Sequence, residues 1–286
     1  MRALRMVTVT AVIGVSLGTA AGAWASVYAG KTAQHDPIVI TVSNDGKRVQ
    51  KIAVDWEAEC QSKNEYRFGG ILTARAKPPG VTVPGDNPLL RSAVRKGKLD
   101  ATSIGSASLG EDLTAAIRQT VRGKFNKSFA FGTWRARVNV LDAGGTTKDT
   151  CDSGTVRWAA THAPAYYGGL TSQGEPVVVE TTTDGAEVDY FGIGWGASCS
   201  DGNSFHVGDE LGDFPLTRSG VFGASFGSDF PFPDGTGKVS VAWTVKGKVR
   251  KRRASGTFSV HRAESDVAGA TTSTCDTQTV EWSATH

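Results

Sequence analysis

From residue 238 to 249 the chain reads KVSVAWTVKGKV, with Val239, Val241, Trp243, Val245 and Val249 separated by Ser, Ala, Thr and Lys. Apolar residues at alternate positions mark a strand with one buried face. GTFSVHR, residues 256 to 262, resumes the alternation after a basic stretch, so the two runs form a hairpin. A different pattern runs through EDLTAAIRQTV, 111 to 121, where Leu113, Ala116, Ile117, Thr120 and Val121 fall at helical spacing.

Internal similarity decides between helix and strand there. Slid by 139 residues, Pro37, Asp45, Gly46, Val49, Trp56, Ala58, Cys60, Asn64 and Gly69 meet Pro176, Asp184, Gly185, Val188, Trp195, Ala197, Cys199, Asn203 and Gly208. A shift of 127 carries Pro88, Leu89, Arg91, Ser92 and Val94 onto Pro215, Leu216, Arg218, Ser219 and Val221. A shift of 124 carries the rest, including CDSGTVRWAATH at 151 to 162 onto CDTQTVEWSATH at 275 to 286. EDLTAAIRQTV then lies on the alternating GTGKVSVAWTV, and both are expected to be strand. The falling shifts place insertions in the first copy, near 70 to 87 and near 101 to 113, and insertions belong in loops. The expected domains are 36–163 and 175–286, with a Gly-rich linker at 164–174.

Each copy holds one cysteine after its Trp-x-Ala-x-Cys and one before its closing segment. The economical pairing is Cys60 with Cys151 and Cys199 with Cys275, and a crossed pairing would tie two copies that each match alone. Trp56, Ala58 and Cys60 share one strand face, as do Val156, Trp158 and Ala160, so Trp and disulfide are expected between packed sheets. Immunoglobulin domains place their Trp between the two cysteines, whereas here both lie outside that interval. The expected fold is all-β: two tandem β-sandwich modules, Ig-like or jelly-roll-like, without the immunoglobulin topology.

Composition adds the setting. With 21% charged and 39% hydrophobic residues the chain is globular, and its 35 Gly favour turns and strands. Residues 1–25 read as a signal peptide: Arg2 and Arg5, an apolar run from Met6 to Ala21, and Ala23-Trp24-Ala25 as cleavage site. No second run of spanning length follows, and four cysteines in an exported chain favour disulfides. The chain is therefore expected to be secreted, without a transmembrane segment once cleaved. The series Trp-x-Ala-x-Cys, V-x-G-K-x-x-K-x-x-A-x-G-T and C-D-x-x-T-V-x-W-x-A resembles secreted two-repeat β-proteins of high-GC Gram-positive bacteria. That resemblance spans both modules and implies export and β structure, with no activity attached.

Candidate chemistry is sparse. Gly223-Ala224-Ser225-Phe226-Gly227 matches G-x-S-x-G, which needs a strand-to-helix elbow that this chain does not offer. His162 and His286 end matching strands, and His35, His206 and His261 have no counterpart histidines. Asp55, Glu57 and Glu59 alternate with core residues and point outward, where a solvated face outweighs a glycosidase pair or a calcium ion. Asp201, Asn203, Asp209 and Asp213 form an acidic loop that is the better calcium candidate. Lys246, Lys248, Arg250, Lys251, Arg252 and Arg253 place six cations in eight residues at the hairpin turn, suited to an anionic cell-wall polymer or glycan. No aromatic ladder accompanies them, which disfavours nucleic acid.

The modules also carry opposite charge. Residues 36–163 hold 19 basic and 13 acidic side chains and 175–286 hold 9 and 15, net +6 and −6, so the two are able to attract one another. The reading is a secreted, non-catalytic binding or structural protein near the cell envelope, without catalytic residues or a required cofactor. Its alternatives are an extracellular polysaccharide hydrolase and a protein-binding adhesin or inhibitor acting through loops such as 70 to 87.

Overall fold

The computed structural model describes residues 26–43, 45–63, 65–73, 97–109, 113–202, 204–232 and 235–286, so the expected signal peptide and most of the 70-to-87 insertion lie outside it. The described residues form strands and turns without a helix, and none is long and apolar enough to cross a membrane as one. The first sheet comprises β1 (Ser26–Thr32), β2 (Pro37–Val42), β3 (Val49–Cys60), β4 (Glu65–Thr73), β5 (Lys98–Ser108), β6 (Thr114–Phe125), β7 (Phe129–Leu141), β8 (Thr147–Asp152) and β9 (Val156–Thr161). The second comprises β10 (Tyr166–Thr171), β11 (Pro176–Thr181), β12 (Glu187–Cys199), β13 (Ser204–Leu211), β14 (Phe214–Pro215), β15 (Val221–Pro231), β16 (Gly237–Arg250), β17 (Arg253–Asp266), β18 (Thr271–Asp276) and β19 (Val280–Thr285).

Both sheets have the same order: β4-β3-β2-β1-β9-β7-β6-β5 and β13-β12-β11-β10-β19-β17-β16-β15. In the first, β8 pairs with both β3 and β7, which closes β3-β2-β1-β9-β7-β8 into a ring; β18 does the same between β12 and β17. The strands beyond each ring extend it as hairpin arms.

Alternation sets the interior. Trp56, Ala58 and Cys60 are buried on one face of β3, and Val156, Trp158 and Ala160 on one face of β9. The helix-like segment is strand β6, with Ala115, Ile117 and Val121 inside. The disulfides join Cys60 to Cys151 and Cys199 to Cys275, directly opposite partners of β3 with β8 and of β12 with β18. Each bond thus pins the strand that closes its ring.

The domain limits differ from expectation. The stretch 164–174, read as linker, holds β10, and β1 lies ahead of residue 36. Val27 to Thr32 reads VYAGKT and Tyr166 to Thr171 reads YYGGLT, matching at the same shift of 139. A Cβ on Gly30 would lie 2.0 Å from the Ala159 carbonyl oxygen, and one on Gly169 1.9 Å from that of Ser283. Those glycines look like linker composition but let two backbones pair closely.

Non-reducing peptide mapping is expected to recover Cys60 with Cys151 and Cys199 with Cys275. Replacing Cys60 and Cys151 together by Ser should lower unfolding free energy by about 2–5 kcal/mol, read from denaturant titration, because the bond closes a loop of 91 residues.

Candidate functional site

The two modules meet through the outer faces of their first strands. There β1 faces β10, β2 faces β11 and β4 faces β13, each strand against the one occupying its own place in the other sheet. Ala29, Val39, Ala53, Val178 and Tyr190 form an apolar core between the modules. Opposite charges border it: Lys31 Nζ lies 3.0 Å from Glu210 Oε1, and His35 Nδ1 2.9 Å from Glu210 Oε2.

Beside this core β3 and β4 of one module lie against β13 of the other, and Gly194 of β12 meets Asp55 of β3. Asp55 pairs across strands with Gly69, and Gly194 with Gly208. A Cβ on Gly194 would lie 2.0 Å from Asp55 Oδ2, one on Gly208 2.5 Å from Asp36 Oδ1, and one on Gly69 2.1 Å from Glu175 Oε2 and 2.4 Å from His206 Nε2. Three bare positions therefore make room for the polar side chains of the opposite module.

Those side chains come in matched pairs. Asp36 precedes β2 and Glu175 precedes β11, each with its backbone N–H donating to a threonine hydroxyl, Thr32 and Thr171, across a tight turn. Arg67 on β4 and His206 on β13 occupy matching places, again 139 residues apart. Arg67 Nη2 lies 2.9 Å from Glu57 Oε2 and Nη1 3.9 Å from Asp36 Oδ1, while Nη1 donates to the Gly208 carbonyl at 3.5 Å. His206 sits between two carboxylates: Nε2 is 3.1 Å from Asp55 Oδ1 and Nδ1 is 3.8 Å from Glu175 Oε1.

Burial dominates the electrostatics. Asp55 is 1% exposed, and desolvation, then the neighbouring Asp36, raises its pKa well above the ordinary carboxylate range. Desolvation raises Glu175 to about 7 and Asp36 to about 6, the latter against the pull of Arg67. The same desolvation lowers the pKa of His206 and favours its neutral ring. No protein donor reaches Asp55 Oδ2 or Glu175 Oε2, so a proton held between the two carboxyl groups, with Asp55 accepting, is a hydrogen bond open to them.

Glu175 and His206 also line a groove of about 730 Å³ between the modules, with Tyr66, Phe68, Gln173 and Ser198 on its walls. A groove of about 760 Å³ lies beside the first disulfide, but its Arg137 is already paired with Asp152. Convergent polar groups of perturbed pKa at a cleft single out the groove between the modules.

No family model matches the chain. No curated protein matches it either. Among solved structures, a Nitrosomonas europaea protein described as a putative AttH aligns over 91% of each chain at 8% identity, but with a TM-score of 0.18 the likeness carries no argument.

Several sequence expectations are corrected here. Asp55 does point away from its own core, yet it is sealed by the second module rather than solvated. Among the described residues the calcium candidates form no shared cluster: Asp209 Oδ2 accepts hydrogen bonds from the Trp195 and Trp243 indoles at 2.8 and 2.7 Å, Asp213 lies beyond the end of β13, and Asp201 sits in an exposed turn. Asn203 is outside the described residues. Two His/Cys/Asp/Glu groups among the described residues are close enough to share an ion: Asp55–Glu175–His206, and Cys60–Asp149–Cys151, whose sulfurs are spent in a disulfide.

Ser225 lies mid-strand in β15 with its hydroxyl 3.0 Å from Thr244 Oγ1, so no nucleophile elbow exists there. His162 and His286 contact the carbonyls of Val27 and Lys251 and pack on Tyr28 and Tyr167, as strand-end side chains. His206 has no counterpart histidine, but it has a basic counterpart in Arg67. An acid before Pro37 and before Pro176, and a basic residue two before Gly69 and before Gly208, are the signals the sequence carries.

Gly194→Ala should destabilise the protein by about 1–3 kcal/mol, because its methyl group falls on the Asp55 carboxylate. Thermal melting compared with wild type checks this; an unchanged midpoint would mean that the modules are not in this contact.

Proposed function

We propose that the protein is secreted and acts near the cell envelope as a non-catalytic binding protein for an anionic, hydroxyl-rich polymer. The observation that carries this reading is the surface around the β16–β17 hairpin. Arg250 and Arg253 pair across its end, with Lys251 and Arg252 forming the turn, and Lys246 and Lys248 continue the row along β16. No carboxylate forms an ion pair with these six cations among the described residues. Paired surface cations have little left for a ligand, whereas unpaired ones create a local positive potential.

Strand pairing places Lys246 opposite Thr257 and Lys248 opposite Ser255, and these in turn opposite Glu281 and Ser283. A shallow groove of about 500 Å³ follows this surface, lined by Ser172, Arg253, Ser255, Thr257, Glu281 and Ser283. Cations leading into a groove lined by Ser and Thr hydroxyls, with one carboxylate at Glu281, suit a polymer of phosphates or carboxylates on a sugar or polyol backbone. Two disulfides and the apolar run at 6–21 support export. The hydrolase alternative gains little from the groove between the modules, because Asp55 there is sealed from any substrate.

Co-sedimentation with purified Gram-positive cell walls tests this. Binding is expected at low ionic strength and should weaken at least about tenfold between 50 and 200 mM salt, as counterion release requires. Arg250→Glu, Lys251→Glu and Arg252→Glu together should abolish it without changing the melting temperature. Salt-independent binding, or binding retained by the triple variant, would refute the assignment.

A further inference from the structure

We propose that Asp55, Glu175 and His206 form a site for one divalent transition-metal ion, of the Zn²⁺ class, held between the two modules. The three side chains come from separate elements, β3, the turn before β11, and β13, yet one donor atom from each lies within 4.8 Å of the others. Asp55 Oδ1 and His206 Nε2, at 3.1 Å, are separated as two ligands of one ion are when each bond is about 2.0–2.2 Å.

The second observation is the state of the carboxylate oxygens. The Asp55 side chain is 2% exposed, and neither its Oδ2 nor Glu175 Oε2 receives a hydrogen bond from a protein donor. Native proteins satisfy nearly all such buried atoms, so one left over calls for an occupant. Two ionised carboxylates and a neutral imidazole carry two negative charges, which a divalent cation cancels. Burial already favours the neutral ring at His206, the form that coordinates metal. It disfavours ionised Asp55 and Glu175, and a bound cation reverses that preference.

The donor set indicates which ion. Calcium takes six to eight oxygen ligands and magnesium keeps several waters, whereas one imidazole with two carboxylates suits zinc and its neighbours. One ring nitrogen of His206, Nε2 on the side of Asp55, is the coordinating atom. Because Glu175 and His206 line the groove between the modules, a remaining position on the ion is open to water or to an oxygen ligand entering there. The bare Cα of Gly69 provides the room in which Glu175 Oε2 and His206 Nε2 converge.

Isothermal titration of Zn²⁺ into the chelator-treated protein, with parallel Co²⁺ titration followed by visible absorption, tests the site. One ion per chain is expected, with a Co²⁺ absorption band that Zn²⁺ displaces. Asp55→Asn and His206→Gln should each weaken binding by at least about 10–100-fold, since a ligand matters no less than the outer-shell partners for which such losses are typical. Asp209→Asn, which alters a half-buried carboxylate outside the site, should leave affinity unchanged.

Metal titration of wild type with a thermal melt, with and without chelator, covers the case in which a variant fails to fold. Zn²⁺ should raise the melting temperature. Absence of stoichiometric binding to wild type at micromolar free metal, or binding that survives both ligand substitutions, would overturn the proposal and leave a shared proton as the occupant.

Discussion

Ring closure by β8 and β18 is the constraint on which the rest of the structure depends. β3 and β7 each have one edge filled by β2 or β9 at one end only. Without β8 the Arg137–Leu141 edge of β7 and the Glu59–Cys60 end of β3 would expose unpaired N–H and C=O groups, and the sheet would be free to open. The disulfide ties β8 to β3 where that pairing is only two residues long. A covalent bond therefore stands where the ladder is shortest. The first strands of each module gain from this a rigid outer face on which the other module can pack.

That packing changes the chemistry of residues whose local pattern is ordinary. On an isolated module Asp55 would be one of a row of outward carboxylates, costing nothing because water solvates it. Against the second module it loses that water, and the penalty for a bare buried carboxylate runs to several kcal/mol. Three glycines, an imidazole and a second carboxyl group gather around it, supplied by β4, β12, β13 and the turn before β11. The basic hairpin lies on the outer face of module two, so the two candidate sites do not share residues.

Much of the fold was legible in the sequence, and less of the site. Alternation along 238–249 fixed the period, and the Trp and Cys positions identified which face lay inside. The strands β1 and β10 escaped because VYAGKT and YYGGLT are short and glycine-rich, a composition shared by linkers; only the close approach to β9 and β19 explains it. The orientation of Asp55 was readable from strand parity. Its burial was not, because strand parity tells inside from outside of one module and nothing about a second module lying on the outside. The opposite net charges pointed to contact between modules without saying which faces meet. Asp209 shows the reverse difficulty: an acidic residue in a polar loop sequence turns inward to accept from two indoles, which no local pattern announces.

The strand-on-matching-strand contact also frees the chain from a rule that binds true twofold dimers. In a dimer of identical subunits a residue near the axis must tolerate its own image, so two buried carboxylates would face each other across it, or two glycines would leave a void. Because the halves here belong to one chain, Asp55 can stand opposite Gly194 and Arg67 can answer to His206. Covalent linkage turns a surface limited to self-complementary chemistry into one where a single asymmetric pocket can be built from two nearly symmetric halves.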